Sequence, residues 1–484
     1  MAIIFGNKAD APGRKLNARD FGAAGDGRTL DTEAIQAAMN AATPGDVVVL
    51  PAGHYLSFTL ALRSHVHLVL EAGCVLEAAD PARHDGCYEE AEPNPFDLYQ
   101  DFGHSHWRNS LIHGIDVEDV SISGPGLIDG RGLTREGPGS RWRKQAGEFP
   151  LSMQGMSAAE LAVLSPEVSA MSGLGNKTIA LCRARSVRLQ DFTIVRGGHF
   201  AVLATGVDDL TIENLLIDSN RDGIDIDGCR RVIVRGCRVN TPNDDAIVLK
   251  ASFALGERRP VEDVMIEDCT VSGFDSGTLI DGTRGRTQMF SPDRDRVTGR
   301  IKIGTESSGD FRRIRINRCA FERSRGLALE TVDGGVIEDV MASNLTMRDI
   351  TTAPIFLRLG ARLRAPEGAV PGAIRKVIIR DVTAEGILPD YSALIMGLPD
   401  HPIEDVTLER VHLVYRGGGT EADAARQPPE LEDAYPEPSM FGRTPAYGLW
   451  ARHVCGLRLK GFSAVTIAPD ARPETLFEDV RLRK

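Results

Sequence analysis

Val187-Arg188-Leu189-Gln190-Asp191-Phe192, Leu210-Thr211-Ile212-Glu213-Asn214-Leu215 and Val232-Ile233-Val234-Arg235-Gly236-Cys237 write one short pattern three times, 23 and then 22 residues apart. Two apolar residues flank a variable one, two polar or turn-forming residues follow, and an apolar residue closes the run. Near-alternation over a few residues reads as a strand. A fixed interval of about two dozen residues between such strands reads as a solenoid, whose coils bury their apolar faces only against one another. The pattern also occurs at Val120-Ser121-Ile122, Val264-Met265-Ile266, Ile314-Arg315-Ile316, Val340-Met341-Ala342, Val377-Ile378-Ile379, Val406-Thr407-Leu408 and Leu457-Arg458-Leu459. The longer intervals are coils with loops inserted. The fold class expected is all-β, a single-stranded parallel β-helix with a small N-terminal cap that contains a helix.

A solenoid register names the neighbours of each residue, because equivalent positions on successive coils lie about 4.8 Å apart. Twelve residues on from the first apolar residue of three consecutive coils stand His199, Asp222 and Asp244, the last followed by Asp245. A histidine and three carboxylates are thus expected side by side across three coils. Core packing gives no reason for this. Asp244 and Asp245 cannot share one face of a regular strand, but Thr241-Pro242-Asn243 before them reads as a turn, where both can point outward.

The chain has 484 residues, and a solenoid uses them as one domain. Net charge is −12, which argues against nucleic acid and anionic membranes as partners and means that an anionic substrate needs local cations. Of the eight cysteines, Cys237, Cys269 and Cys319 fall five residues after their coil's first apolar residue, where other coils carry Phe192, Leu215, Leu345, Val382, Val411 and Phe462; they read as reduced core fillers. There is no CxxC or CxxxC spacing; His104 and His106 lack a third ligand, so neither a metal nor a cofactor is expected. Met1–Lys8 lacks the charged start and long apolar centre of a signal peptide, leaving a cytoplasmic protein and a mature periplasmic or secreted form as alternatives.

Residues 16–85 read as the cap with the first strands. Asp31 is placed to cap a helix over Thr32–Ala42, and Val47–Leu50 and Val66–Leu70 read as strands. The main coils are expected over 117–466, with cleft-wall loops at 86–110, 132–176, 274–300, 350–372 and 416–447. Long loops of this kind suit a cleft closed at one end and exo action.

Asn220-Arg221-Asp222-Gly223-Ile224-Asp225 resembles the Asn-Thr-Asp-Gly-x-Asp motif of glycoside hydrolase family 28, the polygalacturonases and their relatives, and Asn243-Asp244-Asp245-Ala246-Ile247 resembles its Gly-Asp-Asp-Cys/Ala-Ile motif. Asn17-Ala18-Arg19-Asp20-Phe21-Gly22-Ala23 with Gly25-Asp26-Gly27, and Gly124-Pro125-Gly126-Leu127-Ile128-Asp129-Gly130, are also similar to the family. The resemblance implies a right-handed parallel β-helix and inverting hydrolysis of pectic oligosaccharides or polysaccharides. It implies Asp244 as general acid, with Asp222 and Asp245 activating water. Chemistry agrees, since an inverting glycosidase needs one protonated and one ionised carboxyl, typically about 6.5–9.5 Å apart, and crowded carboxylates retain a proton between them. Asn220 has an amide to orient a sugar hydroxyl or Asp222, although a turn-forming role explains it equally well. Asp225 is a candidate acceptor behind Asp222.

Two parts of the family pattern are altered. Thr298 stands where the Gly-His-Gly histidine is expected, ahead of Ile303-Gly304-Thr305-Glu306, and Ala328-Leu329-Glu330 stands where Arg-Ile-Lys is expected after Gly326-Leu327. Arg300-Ile301-Lys302 occurs one coil too early and reads as coincidence. In typical polygalacturonases that Arg and Lys bind the galacturonate carboxylate, so their loss and the gain of Glu330 point to a neutral sugar such as rhamnose there. The alternative is a uronate held by Arg221, Lys250, Arg358 or Arg362. His199, Glu306, His104, His106 and Trp107 complete the candidate substrate-binding set, and Trp107, Tyr435, Phe441, Tyr447 and Trp450 are candidate stacking faces. The functions left open are an exo-acting rhamnogalacturonan-type hydrolase, a polygalacturonase with a non-standard carboxylate site, a polysaccharide lyase, and a non-catalytic carbohydrate-binding β-helix.

Overall fold

The ten quoted runs all fall in one ladder of a computed structural model that describes residues 13–100, 103–134, 172–291 and 295–483. Val120, Val187, Leu210, Val232 and Val264 pair in series, and Ile314, Val340, Val377 and Val406 continue the series through parallel strands to Leu457. Two more parallel ladders complete each coil. One runs through Lys177–Cys182, Phe200–Thr205, Asp222–Asp227, Ile247–Ala251, Ile301–Ser307 and Leu327–Thr331, and is called here the cleft ladder. The third runs through Leu127–Asp129, Thr193–Val195, Leu216–Asp218, Arg238–Asn240 and Thr270–Ser272. Pairing begins at Lys15–Asn17 and reaches Leu482, so the coils extend beyond the 117–466 expected, and the cap supplies strands of the same ladders. Residues 1–8 and most of the expected 132–176 loop lie outside the described residues.

Inward side chains fill a single continuous core from Ala18 to Ala464. Cys237, Cys269 and Cys319 are buried and unbridged in it, as their position predicts. The helix forms over Thr32–Ala41 and buries Ile35, Ala38 and Met39. Asp31 does not cap it with its side chain. Its carboxylate instead accepts from Ala24 N (2.6 Å) and Gly25 N (3.2 Å), tying the preceding loop to the helix start.

One backbone device recurs. The residue immediately before the first apolar position adopts a left-handed φ in every quoted run, including Asp209 (58°), Arg231 (55°), Asp263 (58°) and Arg313 (54°). The pairing passes over it on both strands, Arg185 with Asp208 and Val187 with Leu210, so every coil bends at the same place without a shift of register. Stacked like charges would repel there. Opposite charges alternate instead, with Arg231 Nε on Asp209 and Arg313 Nε on Asp263, both at 2.6 Å.

Polar groups of the third ladder anchor the 274–300 loop. Asn240 Nδ2 donates to Asp218 Oδ1 (3.0 Å) and to Phe274 O (3.1 Å), while its Oδ1 accepts from Ser272 Oγ and Phe274 N. Asp218 in turn accepts from Gly277 N and Leu279 N, both at 2.9 Å. All three side chains are buried, so each lost partner leaves an unsatisfied group. Replacing Asn240 by Ala is expected to cost about 2–3 kcal/mol in chemical unfolding. Asp263→Ala, which removes an exposed pair, is expected to cost below about 1 kcal/mol.

Candidate active site

Asp222 opens its strand in the cleft ladder. The register places Phe200, not His199, opposite Asp222, and aligns Asp222 with the residue two before Ile247, which is Asp245. His199 is therefore displaced by one residue from the stack expected of it; its ring packs on Phe200 at 4.4 Å. The coils from Val187 and Val232 need thirteen residues to reach this row and the coil from Leu210 needs twelve, a difference that strand periodicity does not reveal. Gly223 makes the corner possible, since a Cβ there would lie 2.4 Å from both Val239 Cγ1 and Ala246 O.

Asp244 and Asp245 precede the next strand in the turn expected of them. Thr241 Oγ1 and Gly299 N both donate to Asp244 O, at 2.8 and 3.0 Å. Asp222, Asp244 and Asp245 each offer a carboxylate oxygen within 4.8 Å of the others. Asp222 and Asp245 form a buried floor, and the Asp244 side chain, 26% exposed, faces the opening. Arg221 donates to Asp244 Oδ2 at 2.7 Å, and Asn243 Nδ2 donates to Asn220 Oδ1 at 2.8 Å. Three carboxylates this close suit a bound cation, but the protein supplies the positive charge itself, through Arg221, Arg300 and Lys302.

Charge divides the cluster. Burial would push Asp245 up, but Arg300 Nε (2.6 Å) and Lys302 Nζ (3.0 Å) overcome it and hold this carboxyl well below its ordinary range. Burial, reinforced by Asp244 and Asp225, pushes Asp222 well above its ordinary value. The two floor aspartates thus differ in proton affinity, Asp222 the higher and Asp245 the lower. Behind them, burial raises Asp225 to about 7 against the pull of Lys250, whose Nζ lies 2.9 Å from Asp225 Oδ2 and 3.0 Å from His104 Nε2. Lys250 is a buried partner of Asp225, not a solvated lysine.

Arg300 and Lys302 are the main correction to the sequence reading. They do stand one coil earlier than the family's Arg-Ile-Lys, since Ile301 pairs with Ile247 on one side and Leu327 on the other. Their place is not coincidental, because both project beside Asp245. Glu437 chelates Arg300 (2.6 and 3.0 Å) and also pairs with Arg325 at 3.1 Å. Glu330, expected to repel a uronate, is fully buried, raised to about 7 by desolvation, and accepts from Thr305 Oγ1 at 3.1 Å. Lys302 and Arg300 stand 3.8 and 3.9 Å from it.

Other candidates serve the walls. Trp107 is buried and donates Nε1–H to Thr205 Oγ1 at 3.0 Å; His106 is buried and bonds Glu92 O at 2.7 Å. Arg358 is buried, donates to Glu430 O and Leu431 O, and is lowered to about 10 by desolvation. Glu306 pairs with Arg364, and Arg362 with Asp333. Phe441 and Trp450 are buried against each other, and Tyr435 OH meets Thr305. Sequence reasoning missed Glu437, which arrives from a loop of no periodicity, and Thr298 packs as a buried residue whose N–H donates to Pro242 O.

Residues 96–254 match the family described as glycosyl hydrolases family 28, and residues 15–91 match one described as rhamnogalacturonase A/epimerase, pectate lyase-like. A probable polygalacturonase of Vitis vinifera is 23% identical over 413 residues, covering 81% of this chain and 72% of its own. An exopolygalacturonase of Zea mays is 23% identical, covering 80% of this chain and 86% of its own. Among solved structures, the family 28 exopolygalacturonase of Yersinia enterocolitica superposes with a TM-score of 0.66 at 19% identity, covering 97% of this chain and 78% of that one. The exopolygalacturonase of Thermotoga maritima gives 0.62 at 18%, covering 93% and 92%. These likenesses in fold agree with the parallel β-helix.

The buried carboxyls have a consequence for stability. Asp225 and Glu330 near 7, and Asp227 near 6 through burial, bind protons more tightly folded than unfolded. Their stabilisation is complete below the unfolded carboxylate range, about 4, and is lost as pH rises through 6 to 7. Lys177, which burial lowers to about 7, acts in the opposite sense only above that pH. Denaturant midpoints are expected to be higher at pH 5 than at pH 7, with Asp227→Asn narrowing the gap.

Proposed function

We propose that this chain, a member of glycoside hydrolase family 28 and a polygalacturonase-like hydrolase of pectin, works exo-wise on chains with a neutral sugar on one side of the cleaved bond. Rhamnogalacturonan-type oligosaccharides supply that sugar as rhamnose. The observation that carries this reading is the charge balance beside Asp245. Arg300 and Lys302 already hold Asp245, and Arg300 and Arg325 already hold Glu437, all buried or nearly so. A uronate carboxylate entering there has to break one of these pairs, whereas a neutral ring does not. A uronate is better received on the other side, where Arg221 is partly exposed beside Asp244.

Exo action is supported by what covers the cleft ladder. The outward residues Arg300, Lys302, Glu330 and Arg358 lie buried, and residues 430–437 supply Glu430 O and Leu431 O to Arg358, Glu437 to Arg300 and the Tyr435 ring to Lys302. Trp107, Phe200 and Leu203 form a separate buried cluster on the other part of the face. The partly open positions are Asn220, Arg221, Asn243 and Asp244. A cavity of about 600 Å³ extends from Asn220 past Gly198 and Val195 to Leu127 and Leu133.

In this mechanism Asp244, the member open to the cleft, protonates the glycosidic oxygen. Its proton is drawn from the pool that Asp222 holds in the resting site. Asp222, now ionised, and Asp245 orient one water toward the anomeric carbon and accept its proton as the carbon–oxygen bond breaks. The cluster ends with the proton it began with. Inversion follows from attack opposite the leaving group.

Asp244→Asn is expected to lower kcat by about 10²–10⁴-fold while leaving oligosaccharide binding in place. Product analysis on rhamnogalacturonan oligosaccharides and oligogalacturonides separates the specificities; cleavage of oligogalacturonides alone would sink the neutral-sugar reading. Glu437→Gln leaves Arg300 less compensated, so KM for oligogalacturonides is expected to fall relative to that for the rhamnose-containing chain. Proton NMR of the first-formed anomer checks inversion.

A further inference from the structure

The aromatic residues that the sequence offers as sugar platforms are mostly packed away, with Trp107, Phe441 and Trp450 no more than 4% exposed. Among the described residues, the large apolar side chains open to solvent include one aromatic ring, Phe290, at 56%. It sits on the 274–300 loop beside Met289, also half exposed.

Phe290 is tied to the catalytic corner rather than to a remote surface. Gln288 Nε2 donates to Phe290 O at 3.0 Å and also to Asn243 Oδ1. Asn243 precedes Asp244 and donates to Asn220 Oδ1, two residues before Asp222. An unbroken run of three side-chain amides therefore leads from the aspartates to the Phe290 backbone. The other flank is fixed as well. Phe290 and Arg296 form an antiparallel bridge, and the Arg296 guanidinium carbon lies 5.0 Å from the ring centroid. Arg296 O accepts from Arg325 Nε at 2.9 Å, and Arg325 is the partner of Glu437. Phe290 is thus exposed with a cation beside its ring, and its backbone is tied toward both halves of the site.

We propose that Phe290 is the floor of an additional glycan subsite, stacking on the apolar face of a pyranose ring one or more units from the cleaved bond. The amides of Asn220, Asn243 and Gln288 meet its hydroxyl groups. Sugar rings present C–H-rich faces that suit an aromatic surface, and amides serve as both donor and acceptor to hydroxyls. The subsite makes this enzyme chain-length selective. The proposal rests on the glycan-hydrolase reading, and its test separates the two by measuring binding and turnover independently.

Wild type, Phe290→Ala and Phe290→Trp are titrated calorimetrically with a dimer and a tetramer of both galacturonan and rhamnogalacturonan, and turnover is followed in parallel. The tetramer is expected to bind wild type more tightly than the dimer does, with Phe290→Ala weakening tetramer binding about tenfold and dimer binding far less. Phe290→Trp is expected to restore tetramer binding. Equal tetramer affinities for wild type and Phe290→Ala, with unchanged circular dichroism, would overturn the platform, as would failure of wild type to bind either tetramer. Chain-length-dependent binding lost in Phe290→Ala supports the platform even where no bond is cleaved, and in that case the hydrolase reading alone fails.

Discussion

Everything in this molecule answers to one repeat distance. Coils stacked about 4.8 Å apart bring the same position of each coil into contact with itself, so whatever a position carries, it carries next to its own kind. Apolar positions gain from this, and the continuous core shows it. Charged positions do not, and the fold deals with them in two ways. On the outside, Asp and Arg alternate at the left-handed bend, as at Asp209–Arg231 and Asp263–Arg313. In the cleft, carboxyls are stacked on purpose, Asp222 over Asp245, and the cost is met by burial of cations among them.

That second arrangement is what differentiates two chemically identical side chains. Asp245 has Arg300 and Lys302 against it and is pulled down; Asp222 is pushed up by burial, with Asp244 and Asp225 adding to the rise. Each shift is imposed by the surroundings of its carboxyl. Lys250, held by Asp225 and His104, limits how far the rise on Asp222 and Asp225 proceeds. The buried charged residues here are unfavourable as stabilising elements, and their retention is better explained by the difference they impose across the floor.

The fold was legible because its signal is local and repeated. A three-residue alternation such as Leu210–Ile212 needs only its neighbours in sequence to be recognised, and ten copies confirm one another. The positions of Asp222, Asp244 and Asp245 were legible for the same reason, since they lie a near-constant distance from the repeat. His199 was misaligned because one extra turn residue is invisible to strand periodicity. Glu437 and Gln288 were not legible at all: each reaches the site from a loop, and loop trajectories depend on tertiary contacts that no period records. Arg300 and Lys302 were seen but dismissed, because a motif one coil out of place looks like chance until the pairing of Ile301 with Ile247 shows which carboxyl they meet. Trp107 was offered as a sugar-binding wall, but its ring packs in a buried apolar cluster with Ala180, Phe200 and Leu203, as amphipathic rings also do.

The contact between Arg300 and Glu437 joins residues 137 positions apart. A ribosome releases the aspartates and Arg300 long before it releases Glu437. The early coils can stack on one another as they emerge, but Arg300 acquires its second carboxylate only when the closing segment has been made and has folded back. The surroundings of Arg300 are thus completed late in the life of the nascent chain, well after the floor itself has been laid down.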